Sequence, residues 1–278
     1  MNFLSKSIEA GGHYARLDLF LLSPSEFISP NRRWPLAVIC PGGAYGKVSP
    51  REAEPIAVQL NAMGIHAAVL YYTVADQARF PTALSQLAAA VSEIRRNAEA
   101  WAVIPDEITV MGFSAGGHLA GSLSVLWRKP VMREILPEYM PEEIRPDRAV
   151  LCYPVITPFE YGHRQSFENL LGDKVTDPLV LELTALERQV DRDTPPTFLW
   201  HTAEDKSVMP QNSLLYLNAL LNHGVPCEFH LYPKGPHGLS LANEETAALD
   251  SGREMVVPSC QNWIYMAGRF IKMELRHD

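Results

Sequence analysis

Gly112-Phe113-Ser114-Ala115-Gly116 sets a serine in the pattern G-x-S-x-G. The apolar run Ile108-Thr109-Val110-Met111 precedes it and a helical pattern from His118-Leu119-Ala120 follows. A strand before and a helix after make a sharp turn that presents the serine oxygen at the carboxyl end of a sheet, ready to attack a carbonyl. Such a nucleophile needs a base, and the base needs an orienting carboxylate. Among nine histidines, His237 lies in the Pro/Gly-rich loop Lys234-Gly235-Pro236-His237-Gly238, after the last apolar run. A loop there can carry a side chain to a site. Asp205 follows the run FLWHT, with Glu204 as its neighbour and competitor. Asp191 and Asp193 precede that run and fall at the wrong end of the sheet. His118 is one helical turn past Ser114 and is expected to pack behind it. His66, His201 and His230 fall in predicted strands as core or face residues, and His13, His163, His223 and His277 have no motif around them.

Pro41-Gly42-Gly43-Ala44-Tyr45 follows another apolar run, LAVIC. Small residues there let backbone N–H groups converge on an anion, such as the oxygen of a tetrahedral intermediate. A nucleotide phosphate loop is excluded: Gly42 and Gly46 are one residue too close, and Val48 follows Lys47 where Ser or Thr is required. No dinucleotide glycine pattern occurs in this loop. No H-e-x-x-H pair or other ligand spacing implies a metal, and the expected chemistry calls for no cofactor.

The elements that must position these residues follow from periodicity. Short apolar runs at 36–40, 66–70, 108–112, 149–153, 198–202 and 228–232 alternate with helical patterns, which predicts a mostly parallel sheet of an α/β fold. Residues 14–22 alternate and suggest an antiparallel edge strand. Ser49-Pro50-Arg51-Glu52 fits a capping box opening a helix to about Met63, ended by Gly64. Leu84, Leu87, Ala88, Val91 and Ile94 mark one face of a helix from near Pro81. Further helices are expected at 210–222 and 258–275, the last with a core stripe of Trp263, Met266, Phe270 and Met273. The proline-rich stretch 154–195 reads as an insertion over the sheet edge within one domain spanning 1–278.

Composition narrows the partners. The 278 residues carry a net charge of −8, against nucleic acid or an anionic membrane as the main partner. Cys40, Cys152, Cys227 and Cys260 are far apart and read as free thiols of a reducing compartment. Lys6 and Glu9 break any signal-peptide core, and no run approaches the roughly 18 apolar residues of a membrane helix. A cytoplasmic protein is expected, acting on a small-molecule or oligosaccharide ester, with room for a homo-oligomer.

The segments ICPGGAYGKVSPREAEPIA, MGFSAGGHLAG, SFENLLGD, TPPTFLWHTAEDKSV and PKGPHGLSLAN together resemble α/β-hydrolase esterases related to acetyl xylan and feruloyl esterases. The resemblance implies helices on both faces of the sheet, Ser114 as nucleophile, His237 as base and Asp205 as its partner, in that chain order. It implies oxyanion donors at the N–H of Ala115 and near Gly43 and Ala44. Relatives usually carry glycine where Ala44 stands, so a positive φ there would strain this chain. The activity it implies is hydrolysis of short acyl esters of carbohydrates, acetyl first. An arylesterase, lipase-like enzyme or peptidase on the same scaffold is the alternative, and a non-catalytic binding protein the remote one. Phe113 and Tyr45 are expected to narrow the acyl side, and 154–195 to overlie the pocket as a cap and set the alcohol side.

Overall fold

The apolar runs at 36–40, 66–70, 108–112, 149–153 and 198–202 become strands buried on both faces, as their unbroken hydrophobicity requires, and the run at 228–232 becomes a partly exposed strand at the sheet edge. A computed structural model of the chain describes residues 1–75, 79–248 and 254–273. The strands are β1 (Asn2–Ala10), β2 (His13–Leu21), β3 (Trp34–Cys40), β4 (His66–Tyr71), β5 (Val103–Phe113), β6 (Arg148–Cys152), β7 (Thr197–Thr202) and β8 (Cys227–Tyr232). They form one sheet in the order β1-β2-β4-β3-β5-β6-β7-β8. β1/β2 and β2/β4 pair antiparallel, and every other pair is parallel. β2 is antiparallel as expected but is not the edge, because β1 pairs along its outer side through the Gly11-Gly12 turn. β1 escapes the sequence reading because only Ile8 and Ala10 of its residues are buried, so it shows no apolar periodicity.

The helices are α1 (Glu54–Ala62), α2 (Thr82–Arg96), α3 (Ala115–Leu126), α4 (Pro130–Ile135), α5 (Pro141–Ile144), α6 (Arg164–Leu171), α7 (Pro178–Thr184), α8 (Gln211–Asn222) and α9 (Trp263–Ile271). α2, α3 and α8 cover one face of the sheet through Leu87, Val91, Leu119, Leu123 and Leu220. α1 and α9 cover the other through Ile56, Leu60, Trp263, Phe270 and Ile271. The five residues expected on the α2 stripe are all buried. On α9 the stripe holds at Trp263 and Phe270, but Met273 is exposed because the helix has ended at Ile271. The expected extension to Leu275, and His277, lie outside the described residues.

Two further expectations change. The capping box does not form: Pro50–Glu52 is a 3-10 turn, Ser49 makes no side-chain cap bond, and Glu52 turns into the protein. Residues 154–195 join β6 to β7, which are neighbours inside the sheet, so they do not lie on its edge. This segment carries α6 and α7. It reaches the loop after β3 through Asn169 and touches α3 through the Thr184 carbonyl. Among the described residues no helix is long and apolar enough to cross a membrane.

Candidate active site

β5 ends at Phe113, α3 begins at Ala115, and Ser114 makes the turn between them at φ 54°, ψ −118°. Its backbone is pinned from three sides. Ser114 N donates to the Cys152 carbonyl at 3.0 Å, and its own carbonyl accepts from His118 N at 3.1 Å and Val155 N at 3.0 Å. From that backbone the side chain sets Oγ 2.8 Å from His237 Nε2. His237 Nδ1 lies 2.6 Å from Asp205 Oδ2. A nitrogen facing a carboxylate carries the proton, so Nε2 of the neutral ring is the acceptor for the serine hydroxyl. Residues 114, 205 and 237 come from the ends of β5, β7 and β8, and the parallel pairing of the sheet brings those ends together.

Asp205 is buried and fully subscribed. Oδ1 accepts from Ser207 N and Val208 N, both at 3.0 Å. Oδ2 accepts from His237 and, at 3.2 Å, from His201 Nε2. Burial alone would raise this carboxyl, but the hydrogen bonds and charges of the two histidines outweigh it and hold Asp205 well below the usual carboxylate range. His201 is fixed in turn by the Val208 carbonyl at 2.9 Å and Ser213 Oγ at 2.8 Å. Among the described residues, Glu204, the competing carboxylate, reaches only Gly235 N, at 3.4 Å.

The glycine loop is held one peptide plane at a time. Gly42 C=O accepts from Ser49 N at 2.9 Å, and Gly43 C=O accepts from Gly46 N at 2.9 Å and Lys47 N at 3.1 Å. N–H and C=O point oppositely across a trans peptide, so the Gly43 and Ala44 N–H groups are turned away from those bonds. Among the described residues, the N–H groups of Gly43, Ala44 and Ala115 find no acceptor within the chain. Ala44 C=O accepts from Asn169 Nδ2 at 2.8 Å, and Tyr45 C=O from Ala75 N at 2.7 Å. Gly43, at φ 130°, has no room for a side chain, since a Cβ would lie 2.2 Å from the Lys47 carbonyl oxygen. Gly42 lies against Ser114: a Cβ there would stand 3.0 Å from Ser114 Cβ. Ala44 and Tyr45 both adopt φ 55°, so the alanine does occupy a left-handed position, at a cost glycine would not carry.

Tyr45 and Phe113 do not line a pocket. Tyr45 is 3 % exposed, with its hydroxyl 2.9 Å from His118 Nδ1 and its ring against Tyr72. Phe113 is fully buried on the opposite face of the sheet, against Tyr153 and Trp263. Phe113, the last residue of β5, points into the core layer opposite the Ser114 turn by strand alternation, and Tyr45, in the turn after β3 at φ 55°, is directed inward by its backbone. His118 packs behind Ser114 as expected, and burial lowers it to about 4. Sequence reasoning missed His201 and Asn169, and also His163 of the insertion, which burial and the nearby His237 lower. It also missed Glu52.

The BD-FAE family profile matches residues 24–220. Endo-1,4-beta-xylanase B of Butyrivibrio fibrisolvens is 39% identical over 222 residues, covering 78% of this chain and 34% of its own length. The chain spans about a third to a half of the curated relatives it matches: 34%, 42% and 52%. A carboxylesterase of Lactobacillus plantarum WCFS1 superposes with a TM-score of 0.86 at 31% identity, over 98% of this chain and 97% of that one. An acetyl ester-xyloside bifunctional hydrolase of Caldicellulosiruptor lactoaceticus superposes with a TM-score of 0.76 at 36% identity, over 92% and 89%.

Proposed function

Because the chain belongs to the BD-FAE family and has the α/β-hydrolase fold, we propose that it is a serine carboxylesterase that removes short acyl groups, acetyl first, from carbohydrates. The observation that carries the reading is the continuous line from Asp205 through His237 to Ser114, at 2.6 and 2.8 Å. The carbohydrate part rests on similarity to proteins named for xylan and an acetyl ester-xyloside.

In this reading Ser114 Oγ attacks the ester carbonyl as His237 Nε2 takes its proton. Asp205 keeps Nδ1 protonated and stabilises the imidazolium. The N–H groups of Ala115 and of Gly43 and Ala44 hold the developing oxyanion. The imidazolium then gives its proton to the departing alkoxide, leaving an acyl-serine. Water attacks the acyl carbon, its proton passes to His237 and on to Ser114 Oγ, and the acid leaves.

The test is a fluorophosphonate label followed by a substrate panel. Wild-type protein should take one label on Ser114, and Ser114→Ala should take none and lose roughly 10⁶ in kcat. Acetylated xylo-oligosaccharides should be deacetylated, and p-nitrophenyl esters should slow from acetate to octanoate. A flat or rising chain-length profile would replace the short-acyl reading with a lipase-like one, and an active Ser114→Ala would remove the mechanism.

A further inference from the structure

Glu52 ends the 3-10 turn after the glycine loop and is 3 % exposed. Burying a carboxylate is costly unless its oxygens are satisfied. Here the partners are two neutral donors from different parts of the site. Oε2 accepts from Gly42 N at 2.8 Å, and Oε1 from the Tyr153 hydroxyl at 2.7 Å. Burial first, then the Glu52 charge, push the Tyr153 hydroxyl well above its ordinary range, so it stays a donor. Tyr153 Oη also accepts from Ser240 N at 2.9 Å, three residues beyond the base. Ser240 is tied back by its Oγ to the Arg51 carbonyl at 2.6 Å. The Tyr153 ring stands edge-on to the His237 ring, 5.2 Å between centroids at 74°. Its backbone is held at φ 37°, uncommon for a bulky residue.

One carboxylate thus joins the loop that carries the candidate oxyanion donors to the loop that carries the base, through one phenol. We propose that Glu52 and Tyr153 are positioning residues that hold the 42–44 loop and the His237 loop at their working distance from Ser114. The proposal rests on the serine-esterase reading above. Chemistry explains the choice of residue. A carboxylate accepts both bonds, whereas an amide has one acceptor oxygen. With glutamine at 52, one orientation sets its N–H against Gly42 N–H. The other leaves the Tyr153 hydroxyl hydrogen without an acceptor.

The experiment compares wild type, Glu52→Gln, Tyr153→Phe and the double variant on p-nitrophenyl acetate, with active sites counted by fluorophosphonate titration. Misaimed oxyanion donors weaken the transition state and not the ground state, so kcat and kcat/KM should fall together. The expected falls are about 10- to 100-fold for Glu52→Gln and about 3- to 10-fold for Tyr153→Phe, each with KM within about twofold of wild type. The double variant should be no slower than Glu52→Gln, because both changes cut one network. A kcat within twofold of wild type in both single variants, a loss confined to KM, or effects that multiply would each overturn the proposal. If Glu52→Gln does not fold, Tyr153→Phe, which removes one oxygen, decides by the same kcat criterion. A wild-type protein that neither takes the label nor cleaves the ester overturns the esterase reading and this proposal with it. A labelled, active wild type with unimpaired variants overturns this proposal alone.

Discussion

Lowering the pH from 7.5 to 4.5 should destabilise the fold by roughly 2–3 kcal/mol at one side chain, His118. Its ring is buried between two partners, the Tyr45 hydroxyl at Nδ1 and the Thr184 carbonyl at Nε2, both at 2.9 Å. A carbonyl only accepts, so Nε2 carries the hydrogen and Nδ1 accepts from Tyr45. A second proton would have to enter at Nδ1, away from water. Burial therefore lowers this histidine from 6.5 to about 4, although the Thr184 carbonyl opposes the shift. Between those values the unfolded chain binds a proton that the folded chain refuses. The stability from this group is whole above pH 6.5 and is lost as pH falls through the folded value. At about 1.36 kcal/mol per pH unit, the full loss is about 3 kcal/mol, most of it gone by pH 4.5. The assay is urea unfolding of wild type and His118→Gln at pH 7.5, 6.5, 5.5 and 4.5, followed by tryptophan fluorescence. Subtracting one protein from the other removes every titrating group they share. Wild type should lead at pH 7.5, and its lead should shrink by that amount by pH 4.5. A lead constant to within about 0.5 kcal/mol would refute the reasoning.

Asp205→Asn should lower kcat by roughly 10⁴, because an amide facing Nδ1 favours the wrong imidazole tautomer. Glu204→Gln should change it less than about threefold, and steady-state kinetics giving the reverse order would pass the role to Glu204. Because Asp205 is held well below the usual carboxylate range, it stays charged through the acid limb of kcat/KM. That limb should follow uptake of one proton, and a slope of two on a logarithmic plot would contradict it. Gly42→Ala places a methyl 2.8 Å from the Phe113 carbonyl and from Glu52 Oε2, so the loop must shift. Its kcat should fall by about 100-fold or more, and turnover near wild type would show that the loop does not serve the oxyanion.

What was legible in the sequence was whatever a short window contains. β3 to β8 announce themselves as apolar runs between helical patterns, and Ser114, Asp205 and His237 each sit in a loop whose small residues mark a turn at a strand end. What was not legible is made by residues far apart in the chain. Glu52 reads locally as the acid of a capping box, yet its partner Tyr153 lies 101 residues away. Asn169 braces Ala44 across 125 residues. His201 sits in a fully buried strand, and only the turn that follows brings Asp205 within 3.2 Å of it. Tyr45 and Phe113 were misplaced for a related reason. Proximity in sequence to a reactive atom says nothing about which way the neighbouring side chain points.

The conformation of Ser114 bears on how such a sequence persists. At φ 54° the residue occupies a region that costs a non-glycine residue on the order of 1–3 kcal/mol, which the surrounding fold must absorb. Glycine would sit there with little strain. Two inert variants therefore part company. Ser114→Gly should be more stable than Ser114→Ala by about 1 kcal/mol, although both lack the hydroxyl. A lineage drifting under selection for thermal endurance alone would trade the serine for glycine. On the serine-esterase reading, the hydroxyl is kept only where turnover is selected, and that one position sets endurance against activity.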